Sequence, residues 1–480
     1  MKHILKILII SLFPVFSFIG CKPGSENPEP PLPTEPEGAV SAWITSGNES
    51  YLLKKATGAN FSYELGDFTV VIDTTTAYQS IDGFGAALTG SSAYLIHKMD
   101  ADSKSKLLTD LFDHDKGIGL NYLRLTIGSS DFSIGTYSYC DNADIKSFAI
   151  PPQDKQDLIP VLKQILAINP TIKILASPWS APAWMKKNNS MYGGSLKGAE
   201  VYADFAEYFV RYVKAFAAEG ITIDAITLQN EPMYENGGYP TMKMTWEEQN
   251  ILIRDYLGPK FAENNIKTKI IIWDHNFDMA FYPINILNDA VTRKYVAGTG
   301  WHGYGGTPAA IDGVQELHPD KDVYFTEQSG GGWNTDSRMG NMFYYMKDFL
   351  MASVNRGSKN FLMWNLALNP QHGPTTTTGG CQNCRGVVTI NSDGAYTRNE
   401  EYYLLGHFSK FVRLGAVRVK NFAINLPSGV TVSSFMNKDG SKAVIILNRS
   451  GAKQKYNIRC GSRKFVYEQF NESVISFRFQ

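Results

Sequence analysis

One feature constrains this chain above all: an alternation. Between about residues 79 and 414, short runs rich in β-branched residues recur, separated by longer stretches with helical periodicity. Eight runs read as strands: 80–85, 122–127, 172–177, 225–229, 269–273, 297–302, 323–326 and 361–364. Between them, the apolar residues of 104–112, 158–168, 201–218, 247–261 and 339–354 repeat at the spacing of one helix face. A strand that pairs in parallel with the next needs a crossover long enough for a helix. Eight such units close into a TIM (β/α)8 barrel. The pattern is least regular at the first run, which is rich in glycine, and after the fifth, where Pro283 interrupts the helical stretch.

Such a barrel takes roughly 250 residues; the chain has 480, of which 43% are hydrophobic, so a second, smaller domain has room and apolar material. After Leu414 the texture changes. Residues 430–436, 443–447, 455–459, 464–467 and 474–479 read as strands, separated by turn signals such as Asn437-Lys438-Asp439-Gly440 and Gly461-Ser462. This is hairpin spacing, and it predicts a small antiparallel β-sandwich. The runs 40–45 and 68–72 precede the barrel and would otherwise be orphaned, so they are expected to complete that sandwich. The expected organisation is a signal peptide over 1–21, a tether over 22–38, N-terminal sandwich strands over 39–78, the barrel over 79–414 and the C-terminal sandwich over 415–480.

The first residues read as an address. Lys2 and Lys6 precede an apolar run over 7–19, which ends at Gly20-Cys21. The run is too short to span a bilayer and has the layout of a secretory signal. Gly20-Cys21 resembles a bacterial lipobox, although Phe18 stands where Leu is usual, and Cys21 would then become the lipidated N-terminus. Pro28, Pro30, Pro31, Pro33 and Pro36 follow in a segment too polar to bury a core, a semi-rigid tether. An exported bacterial lipoprotein at the outer membrane or cell surface is expected, with a periplasmic location as the alternative. The lipid would be its only contact with the membrane. Cys381 and Cys384 form a Cys-x-x-Cys pair without a second pair at zinc spacing, which favours a disulfide or two free thiols over a metal.

Lys+Arg and Asp+Glu both number 46, so the net charge is zero. Phosphate binding calls for a basic excess, which argues against nucleic acid as the main partner. Aromatic residues make up 12% of the chain, including 25 Tyr and 8 Trp, and flat rings stack well on the C–H faces of sugars.

In a TIM barrel, catalytic groups project from the C-terminal ends of strands. Here Glu231 follows the fourth run in Gln229-Asn230-Glu231-Pro232, and Glu327 follows the seventh in Thr326-Glu327. A carboxylate at either place could be a rim charge. Two of them, across the mouth of one barrel, are what a retaining glycosidase requires: one acid to protonate the leaving oxygen, one carboxylate to attack the anomeric carbon.

These motifs, with Asp82-Gly83-Phe84-Gly85, Asp131-Phe132-Ser133, Ala176-Ser177-Pro178-Trp179, Trp364-Asn365-Leu366-Ala367-Leu368-Asn369 and Leu405-Gly406-His407-Phe408-Ser409-Lys410-Phe411, resemble glycoside hydrolase family 30. The resemblance implies a barrel with an attached β-sandwich. It implies Glu231 as general acid/base and Glu327 as nucleophile, with no metal or organic cofactor. By the same resemblance, Asn230 would bond the sugar 2-hydroxyl, Asp131 and Trp179 would hold the sugar in the cleaved site, and Trp364 would lie beneath it or else pack in the barrel core. Tyr304 would orient the nucleophile. His302 would bind near the same site or be a satisfied core histidine. The loop with Cys381, Cys384 and Arg385 would shape the site wall, with Arg385 against the substrate, or only staple itself without touching substrate.

Within the family, Glu327-Gln328-Ser329-Gly330-Gly331 is more similar to the bacterial β-1,6-glucanase branch than to the glucosylceramidase branch. The expectation is an endo-acting β-1,6-glucanase on polysaccharide or oligosaccharide β-glucosides. Its alternatives are a glucosylceramidase, an exo-acting β-glucosidase, or a lipoprotein that binds carbohydrate without cleaving it.

Overall fold

The computed structural model describes residues 40–57, 59–61, 64–333, 338–376 and 380–480. The expected signal sequence, Cys21 and the proline-rich tether lie outside the described residues.

Eight parallel strands close into a barrel: Gly83–Ala87, Tyr122–Thr126, Lys173–Ser177, Ala225–Thr227, Lys269–Asn276, Val296–His302, Asp322–Glu327 and Ser358–Met363. They follow chain order, and the eighth returns to the first from Asn360↔Gly83 to Met363↔Ala86. Helices cover the outside, so both faces of the strands are buried and mostly apolar. Tyr122, Leu175, Ala225, Ile271, Tyr324 and Leu362 fill a layer within the barrel. Leu123, Leu125, Ile174, Ala176 and Ile272 belong to the larger cluster that includes the helices.

The glycines of the first strand have a steric cause. A Cβ on Gly85 would run into the carbonyl oxygen of Tyr122 on the next strand. Only glycine lets those two backbones approach so closely.

Several details differ from the sequence pattern. The first barrel strand begins at Gly83, because Ser80 ends a 13-residue strand, Phe68–Ser80, that belongs to the sandwich and stays paired with Val417–Ile424 out to Val417↔Ser80. The stretch expected as one helix at 247–261 is divided into Trp246–Ile251, a wide π-type stretch Leu252–Leu257, and Gly258–Glu263. Pro259 has no N–H to close the preceding turn. Pro283 interrupts nothing: it sits in the first turn of Phe281–Asn288, where a backbone N–H would have no helical acceptor.

The second layer is a nine-stranded sheet in the order Lys54–Ala56, Ser41–Ser46, Ser473–Phe479, Lys442–Asn448, Val430–Met436, Val417–Ile424, Phe68–Ser80, Gln454–Cys460, Arg463–Gln469. The N-terminal strands complete the sandwich, as expected. All its pairings are antiparallel except that of Phe68–Ser80 with Gln454–Cys460. The sheet folds over on itself, for Phe465 on its last strand meets Phe477 on the third, with ring centroids 5.1 Å apart. Ile44, Val70, Ile446, Tyr456 and Ile475 fill the space between.

Helix Glu400–Ser409 is buried along its whole length. Its His407 bonds the hydroxyls of Ser476 and Thr45, both at 2.8 Å, fastening this helix to two sandwich strands. Beyond the seventh and eighth strands two small sheets form: Gly330–Gly331 with Cys384–Arg385, and Ala367–Leu368 with Val388–Ile390 and Tyr396–Arg398.

Candidate active site

The C-terminal ends of the strands surround a cavity of about 610 Å³. Its lining includes Asp131, Trp179, Asn230, Glu231, Tyr304, Glu327 and Trp364. Seven residues expected from sequence therefore meet at one mouth, although they are spread over nearly half the chain.

The chain turns sharply at the end of the fourth strand. Asn230 N–H donates to Pro178 O at 2.8 Å, and Glu231, at φ +48°, donates its N–H to Asp274 O at 3.0 Å. A left-handed backbone at a non-glycine residue is costly and persists only where surroundings impose it. Trp273 and Asp274, at φ +74° and +69°, do the same at the end of the fifth strand.

Beneath the carboxylates lies a buried charge network. Arg124 points into the barrel from the second strand and is fully buried. Its guanidinium forms an ion pair with Glu327 and donates to Asn230 Oδ1 and Asp274 Oδ2, both at 2.8 Å. Since Asn230 Oδ1 accepts from Arg124, the amide NH2 of Asn230 remains available to the cavity. Asp274 also accepts from Ser177 Oγ at 2.6 Å and Thr227 Oγ1 at 2.7 Å. Burial alone would raise the Asp274 pKa, but Arg124, then His302, outweigh it and hold this carboxylate ionised well below the usual range.

His302 is completely buried between Asp274 and Glu231, with Nε2 3.0 Å from Asp274 Oδ1 and Nδ1 3.2 Å from Glu231 Oε1. It does not line the cavity. Burial opposes its charge, but the charges of Glu327 and Asp274 and the bond to Glu231 raise its pKa to about 9. Tyr304 donates its hydroxyl to Glu327 Oε1 at 2.9 Å.

One carboxylate oxygen each of Glu231 and Glu327, and a His302 ring nitrogen, lie within 4.8 Å of one another. Buried charges so close titrate as a set. Burial raises Glu231, but His302, His275 and Arg124 pull it down to a net lowering; Glu327 stays raised by burial and by the Glu231 charge against His302, Arg124 and Tyr304. That balance belongs to a charged His302. With Asp274 accepting from Nε2–H, one proton remains between His302 Nδ1 and Glu231 Oε1. When it sits on Glu231, His302 is neutral and Glu231 is the acid, while Arg124 stays paired with Glu327 and favours its ionised form. In that form the site has one protonated and one ionised carboxyl; with the proton on His302, the placement that its raised pKa favours, Glu231 is ionised. The same trio has the donor set for a metal ion, yet Arg124 already places a permanent positive charge against Glu327.

Aromatic rings line the cavity in two layers. Trp179 and Trp364, 3% and 4% exposed, stack at 4.9 Å between centroids, with the Arg124 guanidinium 4.8 Å from the Trp179 ring. Trp364 is thus both core packing and cavity wall. At the rim, Tyr234, Tyr304 and Trp333 are 39%, 44% and 47% exposed. Beside the inner pair, Asp131 is buried, and its Oδ1 finds no partner among the described residues. Burial, then the Glu327 charge, push its pKa up to about 8.

Arg385 departs from the expectation that it contacts substrate. It is absent from the lining, and its guanidinium is drawn to the buried carboxylates of Glu400 and Glu401. An uncompensated buried acidic pair is costly, and Arg385 supplies the missing charge. Cys381 and Cys384 are joined in a disulfide, and both line the cavity.

Arg124, Asp274 and His275 were not singled out by the sequence reading. The available signal was a charge inside an apolar strand, Tyr122-Leu123-Arg124-Leu125, and an Asp-His pair directly after Ile270-Ile271-Ile272-Trp273. A charge in such a run must be paired or at a mouth.

Residues 81–412 match the glycosyl hydrolase family 30 TIM-barrel domain, and residues 415–477 match the family's β-sandwich domain. The chain is 34% identical over 404 residues to an endo-1,6-beta-D-glucanase of Trichoderma harzianum, covering 79% of this chain and 80% of the relative. It is 30% identical over 393 residues to the lysosomal acid glucosylceramidase of Mus musculus, covering 78% and 76%. Among solved structures, an endo-beta1,6-glucanase superposes with a TM-score of 0.88 at 37% identity, over 92% of this chain and 99% of that one.

Proposed function

The chain belongs to glycosyl hydrolase family 30, and on that premise we propose that it is a retaining β-glycosidase that cuts β-1,6-glucan within the chain. The observation that carries the reaction type is the approach of Glu231 and Glu327 oxygens within 4.8 Å across one cavity. Retaining enzymes hold their carboxyls about 5–5.5 Å apart, and inverting ones leave a wider gap for water.

Glu327 attacks the anomeric carbon while Glu231 gives its proton to the glycosidic oxygen. The C1–O bond breaks, the alcohol leaves, and an ester joins the sugar to Glu327. Water then enters; Glu231 takes its proton as the hydroxyl adds to C1, and Glu327 leaves as carboxylate. The Asn230 amide is placed to bond the 2-hydroxyl as the ring flattens. The proton between Glu231 and His302 explains how Glu231 serves first as acid and then as base.

The polymer reading is supported by the similarity to endo-1,6-glucanases and by the exposed rings of Tyr234, Tyr304 and Trp333 at the rim, free to stack on sugars beyond the one being cleaved. The glucosylceramidase similarity supports the second reading, hydrolysis of a β-glucosyl lipid. Both catalytic carboxyls and their partners are in place, which weighs against a binder without turnover. The reaction is tested by NMR of the first-formed anomer from an aryl β-glucoside: the β-anomer first is expected, and the α-anomer first overturns the mechanism. Export as a lipoprotein through Cys21 belongs to the same reading. It rests on the sequence of residues 1–21 alone, and Cys21→Ala should release the protein from the membrane fraction.

A further inference from the structure

The wall beside Asp131 and the tryptophan pair is fastened at several points. Cys384 packs in one cluster with Trp179, Trp364 and Phe132, and Cys381 lies against that cluster. The backbone of Cys381 lies close enough to Asp131 to lower its pKa, and even a methyl group at Gly380 would meet Asp131 Cβ at 2.7 Å. So residues 380–384 touch all three side chains that would hold the cleaved sugar.

Little regular structure holds this segment. It has a short antiparallel pairing, Gly330↔Arg385 and Gly331↔Cys384, and a bond from His372 Nδ1 to Cys384 O at 2.9 Å. Two stronger ties close it. The disulfide joins its ends, and Arg385, the next residue, ion-pairs with Glu400 and Glu401 at the start of the helix buried between barrel and sandwich.

We infer that the Cys381–Cys384 disulfide and the Arg385 clamp on Glu400 and Glu401 are one positioning device, which sets the wall of the sugar subsite formed by Asp131, Trp179 and Trp364. The inference rests on the functional reading above only in that a glucosyl unit occupies that subsite. Neither tie touches Glu231 or Glu327. Loosening the wall therefore weakens sugar binding and leaves the chemical step in place. An exported enzyme would hold the disulfide oxidised, and reduction would open the wall.

The test compares the wild-type chain, Cys381→Ser/Cys384→Ser and the charge-neutral pair Arg385→Gln/Glu401→Gln on an aryl β-glucoside, with folding followed by circular dichroism. Both variants should raise KM roughly tenfold, equivalent to about 1.4 kcal/mol of binding, with kcat nearly unchanged. Dithiothreitol should raise KM of the wild type in the same way and leave the serine variant unaffected; this arm decides the matter if a variant fails to fold. Unchanged KM in the folded variants or the reduced wild type overturns the inference while leaving the functional reading intact. Loss of kcat without a change in KM also overturns it. A wild type that cleaves neither aryl glucoside nor glucan overturns the functional reading, and the inference with it.

Discussion

Arg124 is completely buried, and its guanidinium reaches Glu327, Asn230 and Asp274 at once. Replacing it with Met leaves two carboxylates buried without their cation, which costs about 3–5 kcal/mol. Arg124→Lys keeps the charge but loses the planar fork. In that variant Glu327 should ionise at higher pH, and the acid limb of the kcat/KM profile should move upward; an unmoved limb would show that Arg124 does not set the nucleophile. For the two carboxyls, Glu327→Gln should abolish turnover of every substrate. Glu231→Gln should cost far more on glucan than on an aryl glycoside whose leaving group needs little protonation, and equal losses on both would place the acid elsewhere. His302 gives a signed prediction. Its folded pKa of about 9 lies above the ordinary 6.5, so its contribution to stability is full below about pH 6.5 and is lost as the pH rises through 9. Thermal melts between those values should fall more steeply for the wild type than for His302→Gln.

At the scale of elements, helix Glu400–Ser409 makes the opposite prediction. His407 is pushed down to about 3 by burial, while the unfolded chain takes up a proton near 6.5. Stability tied to neutral His407 is therefore present above about pH 6.5 and declines as the pH falls toward 3, by a few kcal/mol in all. His407→Gln should flatten that acid decline in a denaturation series. The strands were legible because β-branched runs recur at βα spacing, and all eight lie within a few residues of where the pattern puts them. Their ends were less so. The run at 80–85 straddles two domains, and only the pairing of Phe68–Ser80 with Val417–Ile424 shows where the sandwich strand stops. In the site, Glu231 and Glu327 were legible because each follows a strand within a recognisable motif. Arg124 was not singled out: one charge in an apolar strand looks the same whether it ends a strand or fills a barrel. Arg385 was misread for a related reason, since its partners Glu400 and Glu401 lie on a helix that the loop sequence does not reveal.

For the whole molecule, the barrel provides two opposed carboxyls, and the segments beyond its strands decide what reaches them. Among the described residues, the sandwich contributes none to the cavity lining; it shares the buried helix that Arg385 grips. The cavity is deep at Trp179 and Trp364, while Tyr234, Tyr304 and Trp333 face solvent at the rim. A mouth of this kind suits a chain that continues past the cleaved unit. The most direct test of the central claim is chromatography of products over time from linear β-1,6-glucan. A ladder of oligosaccharides should appear early and shorten later, and vanish in Glu327→Gln. Release of glucose alone from the first time point, or no release at all from a chain that hydrolyses aryl β-glucosides, would contradict it.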